Sequence, residues 1–164
     1  MIRPIEEKDN LPLAKMIRRV FDEHDAPQKG TVYSDPTTDD LYALFRIPKS
    51  ILWVAEIDNE VIGCCGVYPT NGLNGDCAEL VKFYLDANAR GKGIGKELFQ
   101  KCFCSAKEFG YTQLYLESLP QFAKAVSMYE KYGFIKLDKP NGNSGHGTCD
   151  IWMLKELNTK ENGC

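Results

Sequence analysis

Cys77-Ala78-Glu79-Leu80-Val81-Lys82-Phe83-Tyr84-Leu85 leads through Asp86-Ala87-Asn88-Ala89 into Arg90-Gly91-Lys92-Gly93-Ile94-Gly95-Lys96. Ala78 to Leu85 reads as a strand and Arg90 to Gly95 as a glycine-rich loop. A helix opens near Gly93 and runs to Phe109. Ile94, Leu98 and Cys102 recur every four residues, with Phe99, Phe103 and Ala106 as a second row, so this helix has a broad buried face. A glycine loop that opens a helix is an anion site. Its glycines let the backbone come close, the first helical turn leaves amide N–H groups unpaired, and the helix dipole is positive at that end. Arg90, Lys92 and Lys96 add full charges. The expected guest is a phosphate or pyrophosphate.

Spacing excludes the common nucleotide loops. A P-loop needs Gly, four residues, then Gly-Lys-Ser/Thr. Here Glu97 follows Gly95-Lys96, and Arg90 stands where the first glycine belongs. The Gly-x-Gly-x-x-Gly fingerprint also fails: from Gly91 it ends on Lys96, and from Gly93 on Leu98. What fits is Arg/Gln-x-x-Gly-x-Gly/Ala, as Arg90-Gly91-Lys92-Gly93-Ile94-Gly95. A second block follows, Ser127-Met128-Tyr129-Glu130-Lys131-Tyr132-Gly133-Phe134. In this order and at this separation the two blocks resemble the GCN5-related N-acetyltransferase (GNAT) superfamily, and the resemblance covers nearly the whole chain.

The resemblance implies a fold and a chemistry. The fold is α/β: a GNAT-type α/β sandwich whose mixed, mostly antiparallel sheet splays beside the central strand, with helices on both faces. The cosubstrate is acetyl-CoA, with its pantetheine arm on Phe83, Tyr84 and Leu85. Its pyrophosphate falls to Arg90, Gly91, Lys92, Gly93, Ile94, Gly95 and Lys96. Tyr129 is the implied proton donor to the thiolate. A phenol (pKa about 10) and a thiol (about 8.5) differ by only about 2 kcal/mol in proton affinity. Glu79, in Ala78-Glu79-Leu80-Val81, matches the glutamate of histone-type members and is the candidate base. A lysine-like amine, pKa about 10.4, needs one. The implied reaction is direct transfer to a primary amine, on a small molecule or a lysine-like side chain. The alternative is a non-catalytic acyl-CoA-binding module of the same fold. One departure stands out: many members carry asparagine seven residues before the tyrosine, where this chain has Phe122, with Gln121 and Lys124 as substitutes.

Other chemistries are weaker. Cys77 as an acyl-carrying nucleophile lacks a histidine nearby in sequence. His146, in a Gly/Asn/Ser loop, could sit at the acceptor mouth. No metal is expected: the histidines are only His24 and His146, and Cys102-x-Cys104 on a helix points its sulfurs about 200° apart.

The chain has 164 residues and net charge −3. Length allows one domain over 1–157, with a polar, frayed tail over 158–164. The charge argues against nucleic acid as a partner. No apolar run approaches the roughly eighteen residues of a membrane span, and the N-terminus lacks a signal-peptide core. A cytoplasmic protein without membrane contact is expected, its seven cysteines reduced. A homodimer is compatible with the sequence but not required by it.

Reading in order gives β-α-α-β-β-β-α-β-α-β-β. The first helix, capped by Asp9 or Asn10, buries Leu13, Ile17, Val20 and Phe21. Thr37 or Thr38 caps a short helix over 39–45. Strands follow at 51–57 and 61–68. Later come a strand at 112–117, a helix at 121–132, a strand from Phe134 and a last strand at 149–154. The walls of the acceptor site are expected over 21–48 and 139–148. The first segment carries Asp22, Glu23, Asp25, Asp35, Asp39 and Asp40 among Tyr33, Tyr42 and Phe45. These would favour a cationic amine.

Overall fold

The computed structural model describes residues 1–158 and 164; the rest of the expected polar tail, 159–163, lies outside the described residues. Seven strands make one sheet: β1 (Ile2–Pro4), β2 (Ile51–Ile57), β3 (Glu60–Tyr68), β4 (Cys77–Leu85), β5 (Gln113–Ser118), β6 (Ile135–Leu137) and β7 (Ile151–Glu156). Their order is β1-β2-β3-β4-β5-β7-β6. Helices α1 (Asn10–Glu23), α2 (Leu41–Leu44), α3 (Ile94–Glu108) and α4 (Ala123–Lys131) complete the order of elements expected from sequence. Neighbouring strands are antiparallel except β4 and β5. That parallel pair needs the long crossover that α3 supplies.

The sheet divides two apolar cores. Below it, Leu13, Met16, Ile17 and Phe21 of α1 meet Leu41 of α2 and Leu52, Val54 and Cys64 of the sheet. Above it, Leu98, Phe99, Cys102, Phe103 and Ala106 of α3 pack on Ala55, Cys65, Val67, Ala78 and Leu80, with Val126 and Tyr129 of α4 at one end. Both helices show the helical period read from sequence. Each fully buried large apolar side chain contributes about 1.5–3 kcal/mol, so the two stripes fix which face each helix presents.

Some boundaries differ, and capping explains most of them. Asp9 precedes α1, but its carboxylate accepts from Arg3 at 2.8 and 2.9 Å and from the Glu6 amide at 2.7 Å. It therefore gives α1 no side-chain cap. Asp40, not a threonine, caps α2 by accepting from the Ala43 amide at 3.1 Å. Asp35 caps a preceding 3-10 turn, Pro36–Asp39, through the Thr37 amide at 2.9 Å. A similar turn, Pro120–Phe122, delays α4. The last strand begins two residues later than read, because its register pairs Ile151 with Ser118.

The cysteines also depart from expectation. Cys64, Cys65, Cys77 and Cys102 are buried thiols and Cys149 is half-buried, but Cys104 and Cys164 form a disulfide. Two helical positions rotate a side chain by about 200°, so Cys102 faces the core while Cys104 faces away from it. Among the described residues no helix is long and apolar enough to cross a membrane.

Candidate active site

The parallel pair is short. β4 and β5 are in register only at Cys77–Gln113, Ala78–Leu114 and Glu79–Tyr115. Beyond Glu79 the β5-facing edge of β4 has no strand partner among the described residues, and the sheet opens. A cavity of about 660 Å³ fills the opening, ample for a ligand site. Its walls come from α1, β4, the end of β5, the start of α4 and the loops at 31–32 and 146–149.

A bulge shapes the middle of β4. Cys64 pairs with Tyr84 but Gly66 pairs with Val81, so two steps on β3 face three on β4. Lys82 sits at this slip with φ +56°. Bulges re-aim side chains. Strict alternation would put Lys82 with Ala78 and Leu80, toward α3. Instead the groups acting on its charge are Asp35, Glu79, Cys64 and Cys149, on the α1 side of the sheet.

Phe83, Tyr84, Leu85, Arg90 and Gly91 line the cavity; Phe83 and Leu85 pack toward α3 and α4, whereas Tyr84 packs against Phe21 of α1 and Phe122. Lys92, Gly93, Ile94, Gly95 and Lys96 do not line it; they continue outward from Gly91 into the first turn of α3. Gly91 and Gly93 have φ of +76° and +79°, and no heavy atom lies within 4 Å of where their Cβ atoms would be. Glu97 is the first residue of this segment whose N–H is bonded, to Gly93 O at 3.1 Å. From Gly91 to Lys96 no amide finds an acceptor among the described residues. These are a run of orphan donors at a helix N-terminus. The Arg90 guanidinium is engaged elsewhere, with Glu23 at 2.8 Å and Leu85 O at 3.1 Å. Backbone, Lys92 and Lys96 thus carry the free positive potential.

Tyr129 lines the same cavity, buried against Phe83, Phe99 and Phe134. Its hydroxyl has no hydrogen-bond partner among the described residues, an unusual state for a buried polar group. Burial pushes its pKa up, so the proton stays on at neutral pH. Phe122, where the family often has asparagine, packs edge-on to Phe21 at 5.1 Å and walls the cavity with Gln121 and Lys124.

The α1 side of the cavity is polar and its key side chains are buried. Glu79 is only 6% exposed and accepts from Thr70 Oγ1 at 2.6 Å. Burial raises its pKa, Thr70 lowers it, Glu117 raises it and Lys82 lowers it; the balance stands at about 7. Glu117 is held by the Tyr115 hydroxyl at 2.8 Å and by Ser144 Oγ. His146 Nε2 meets Asp35 Oδ2 at 2.8 Å. Burial would push Asp35 up, but His146 and two bonds from Thr37 hold it at about 2. These contacts strap the 139–148 loop across the cavity.

Sequence reasoning did not single out Lys82 or Glu117. The available signal was a lysine on the apolar face of a strand, a conflict that a bulge resolves. The expected acidic acceptor wall has other duties. Glu23 pairs with Arg90, Asp39 with Arg18, and Asp40 caps α2. Asp22 accepts from Gln28. The Tyr33 and Tyr42 rings already sit under Arg18 and Arg46. None of these residues lines the cavity. Cys77 does not line it either, and burial pushes its thiol up to about 11, which disfavours a thiolate nucleophile.

Comparison with known proteins bears on this site. The family model described as the Acetyltransferase (GNAT) family matches residues 17–134, from α1 through the Tyr129 block. The chain belongs to the GNAT family. This GNAT protein is 35% identical over 158 residues to the uncharacterized N-acetyltransferase YjgM of Escherichia coli (strain K12), spanning 96% of this chain and 95% of that one. A GNAT-family acetyltransferase of Staphylococcus aureus Mu50 superposes with a TM-score of 0.85 at 20% identity, over 96% and 99% of the two chains. The PaiA N-acetyltransferase of Thermoplasma acidophilum, solved with coenzyme A, gives 0.75 at 21% identity, over 95% and 98%. Those structural likenesses concern the fold. Family and relatives together make the GNAT protein an enzyme, an acyltransferase of an acyl-CoA-binding fold.

Proposed function

We propose that this enzyme moves an acetyl group from acetyl-CoA to a primary amine, by direct attack while both substrates are bound. One observation carries the reading. A buried carboxyl poised at about 7 and an orphaned buried phenol line one cavity, whose mouth continues into a loop of unpaired amides.

The orphan amides of 91–96 fit a pyrophosphate, and the unpaired edge of β4 at Phe83, Tyr84 and Leu85 fits an amide-rich arm. Acetyl-CoA supplies an activated acyl thioester there. Glu79 takes the proton from the attacking amine, directly or through one water. At pH near 7 it is balanced between its two forms, which suits a base that must also release its proton. Tyr129 gives its phenolic proton to the departing sulfur. The same burial that raises the phenol's pKa also disfavours a thiolate, so the gap between the two groups stays small. Cys149 also lines the cavity, but burial pushes its thiol up to about 12, which leaves it protonated and inert.

The test is free-thiol release from acetyl-CoA by the purified protein against a panel of amines and peptides. Amine-dependent release is the expected result. Tight acetyl-CoA binding with no release for any amine would favour a non-catalytic module.

A further inference from the structure

Lys82 is 8% exposed, lines the cavity, and has no hydrogen bond or ion pair at its ammonium among the described residues. Its carboxylate neighbours are already engaged: Asp35 by His146 and Thr37, Glu79 by Thr70. Glu117, across the opening, is held by Tyr115 and Ser144. The nearby acids therefore have donors, while the buried cation has no acceptor among the described residues. An unpaired buried ammonium costs several kcal/mol, and an apolar residue of similar length would avoid that cost. The bulge that swings Lys82 away from the α3 core adds further cost in its positive φ. Such a group is complete only when a ligand brings an anion to it.

We infer that the acceptor carries a carboxylate beside its reacting amine, and that Lys82 receives that carboxylate while Glu79 faces the amine. The inference rests on the acetyl-transfer reading and deepens it, naming free amino acids as the acceptor class. The charge pattern agrees with a zwitterion: a cation at Lys82, and carboxyls at Glu79 and Glu117. A polycationic acceptor is served less well: of the acids expected for it, Asp22, Glu23, Asp39 and Asp40 lie off the cavity, and Asp35 is taken by His146 and Thr37. Burial lowers the pKa of Lys82 and the nearby acids raise it again, so a bound carboxylate would further favour its charged form.

The experiment compares free amino acids with their carboxamides, in wild type and in Lys82→Met. Thiol release reports turnover; calorimetry on the complex with coenzyme A reports binding without turnover. Wild type should favour the acids by about tenfold or more, and the variant should lose this preference by raising the KM of acids alone. Lys82→Gln provides a second neutral variant, and melting temperatures not below wild type show that both are folded. Equal use of acids and carboxamides by wild type overturns the proposal, as does a preference that survives both variants. A uniform fall in kcat with KM unmoved makes Lys82 a donor to the reacting carbonyl and also overturns it. If acids bind selectively through Lys82 but no amine releases thiol, the carboxylate site stands and acetyl transfer falls.

Discussion

The two sides of the opening between β4 and β5 offer a guest different kinds of groups. Toward α3 the offer is backbone: six consecutive residues, Gly91 to Lys96, present N–H groups without an acceptor among the described residues, and glycine supplies the conformations. Toward α1, side chains are on offer: Glu79, Glu117, Asp35 and His146 are held by set partners, and Lys82 is buried beside them without one among the described residues. Backbone amides suit a ligand part that never changes, whereas buried charges suit a particular acceptor and a proton transfer. Changes on the first side should therefore act on cofactor affinity. Changes on the second should act on turnover and acceptor choice.

The largest expected effect lies where the two sides meet. Tyr129→Phe removes only a hydroxyl that has no hydrogen-bond partner among the described residues, so the fold should be unaffected. Its kcat should fall by roughly 10²–10⁴, the span for a positioned acid, with acetyl-CoA affinity unchanged by calorimetry. Unaltered turnover would leave Tyr129 as packing. Next comes Gly93→Asp. A side chain there meets nothing, but it forces an L residue to φ +79° and puts a negative charge among the orphan amides. Acetyl-CoA affinity should weaken on the order of 100-fold, the loss of one or two charge-assisted bonds. If the variant binds as wild type does, the division between the two sides fails.

A smaller effect separates stability from function. Glu79 has a folded pKa near 7 against an ordinary value of 4.5, so the folded state holds a proton that the unfolded state has already lost between these values. Wild type therefore loses stability as pH rises from about 4.5 to 7, by about 3 kcal/mol, and stays at that level above. Glu79→Gln keeps the acceptor for Thr70 and escapes the loss. It should melt roughly 5–10 °C higher than wild type at pH 8 and alongside it at pH 4. Equal melting at pH 8 would show that Glu79 is not the desolvated acid described here.

The fold was legible in the sequence because its periods are clean. The four-residue rows of α1 and α3 and the hairpin at Asp58-Asn59-Glu60 leave little choice of element order. Caps were less legible, since Asp9, Asp35 and Asp40 are chemically equivalent until tertiary partners such as Arg3 and Ala43 are placed. In the candidate site, motifs pointed to the glycine loop, Glu79 and Tyr129, and the structure gathers Glu79, Tyr129 and the start of the loop around one cavity. Lys82 was legible only as a conflict, a lysine on the apolar face of a strand; the bulge that resolves it is a misfit between two strands and belongs to neither sequence alone. The outward duty of Asp39 and Glu23 was hidden for a similar reason: their partners, Arg18 and Arg90, lie far off in sequence.

The central claim is that a buried Glu79 does the proton work on the side-chain half of the site. The most direct test is the pH dependence of kcat/KM for the acceptor, at saturating acetyl-CoA, in wild type and Glu79→Gln. Wild type should rise about tenfold per pH unit below pH 7 and level off above it. The variant should be slower at neutral pH and lack that inflection. The same inflection near pH 7 in both proteins would contradict the account.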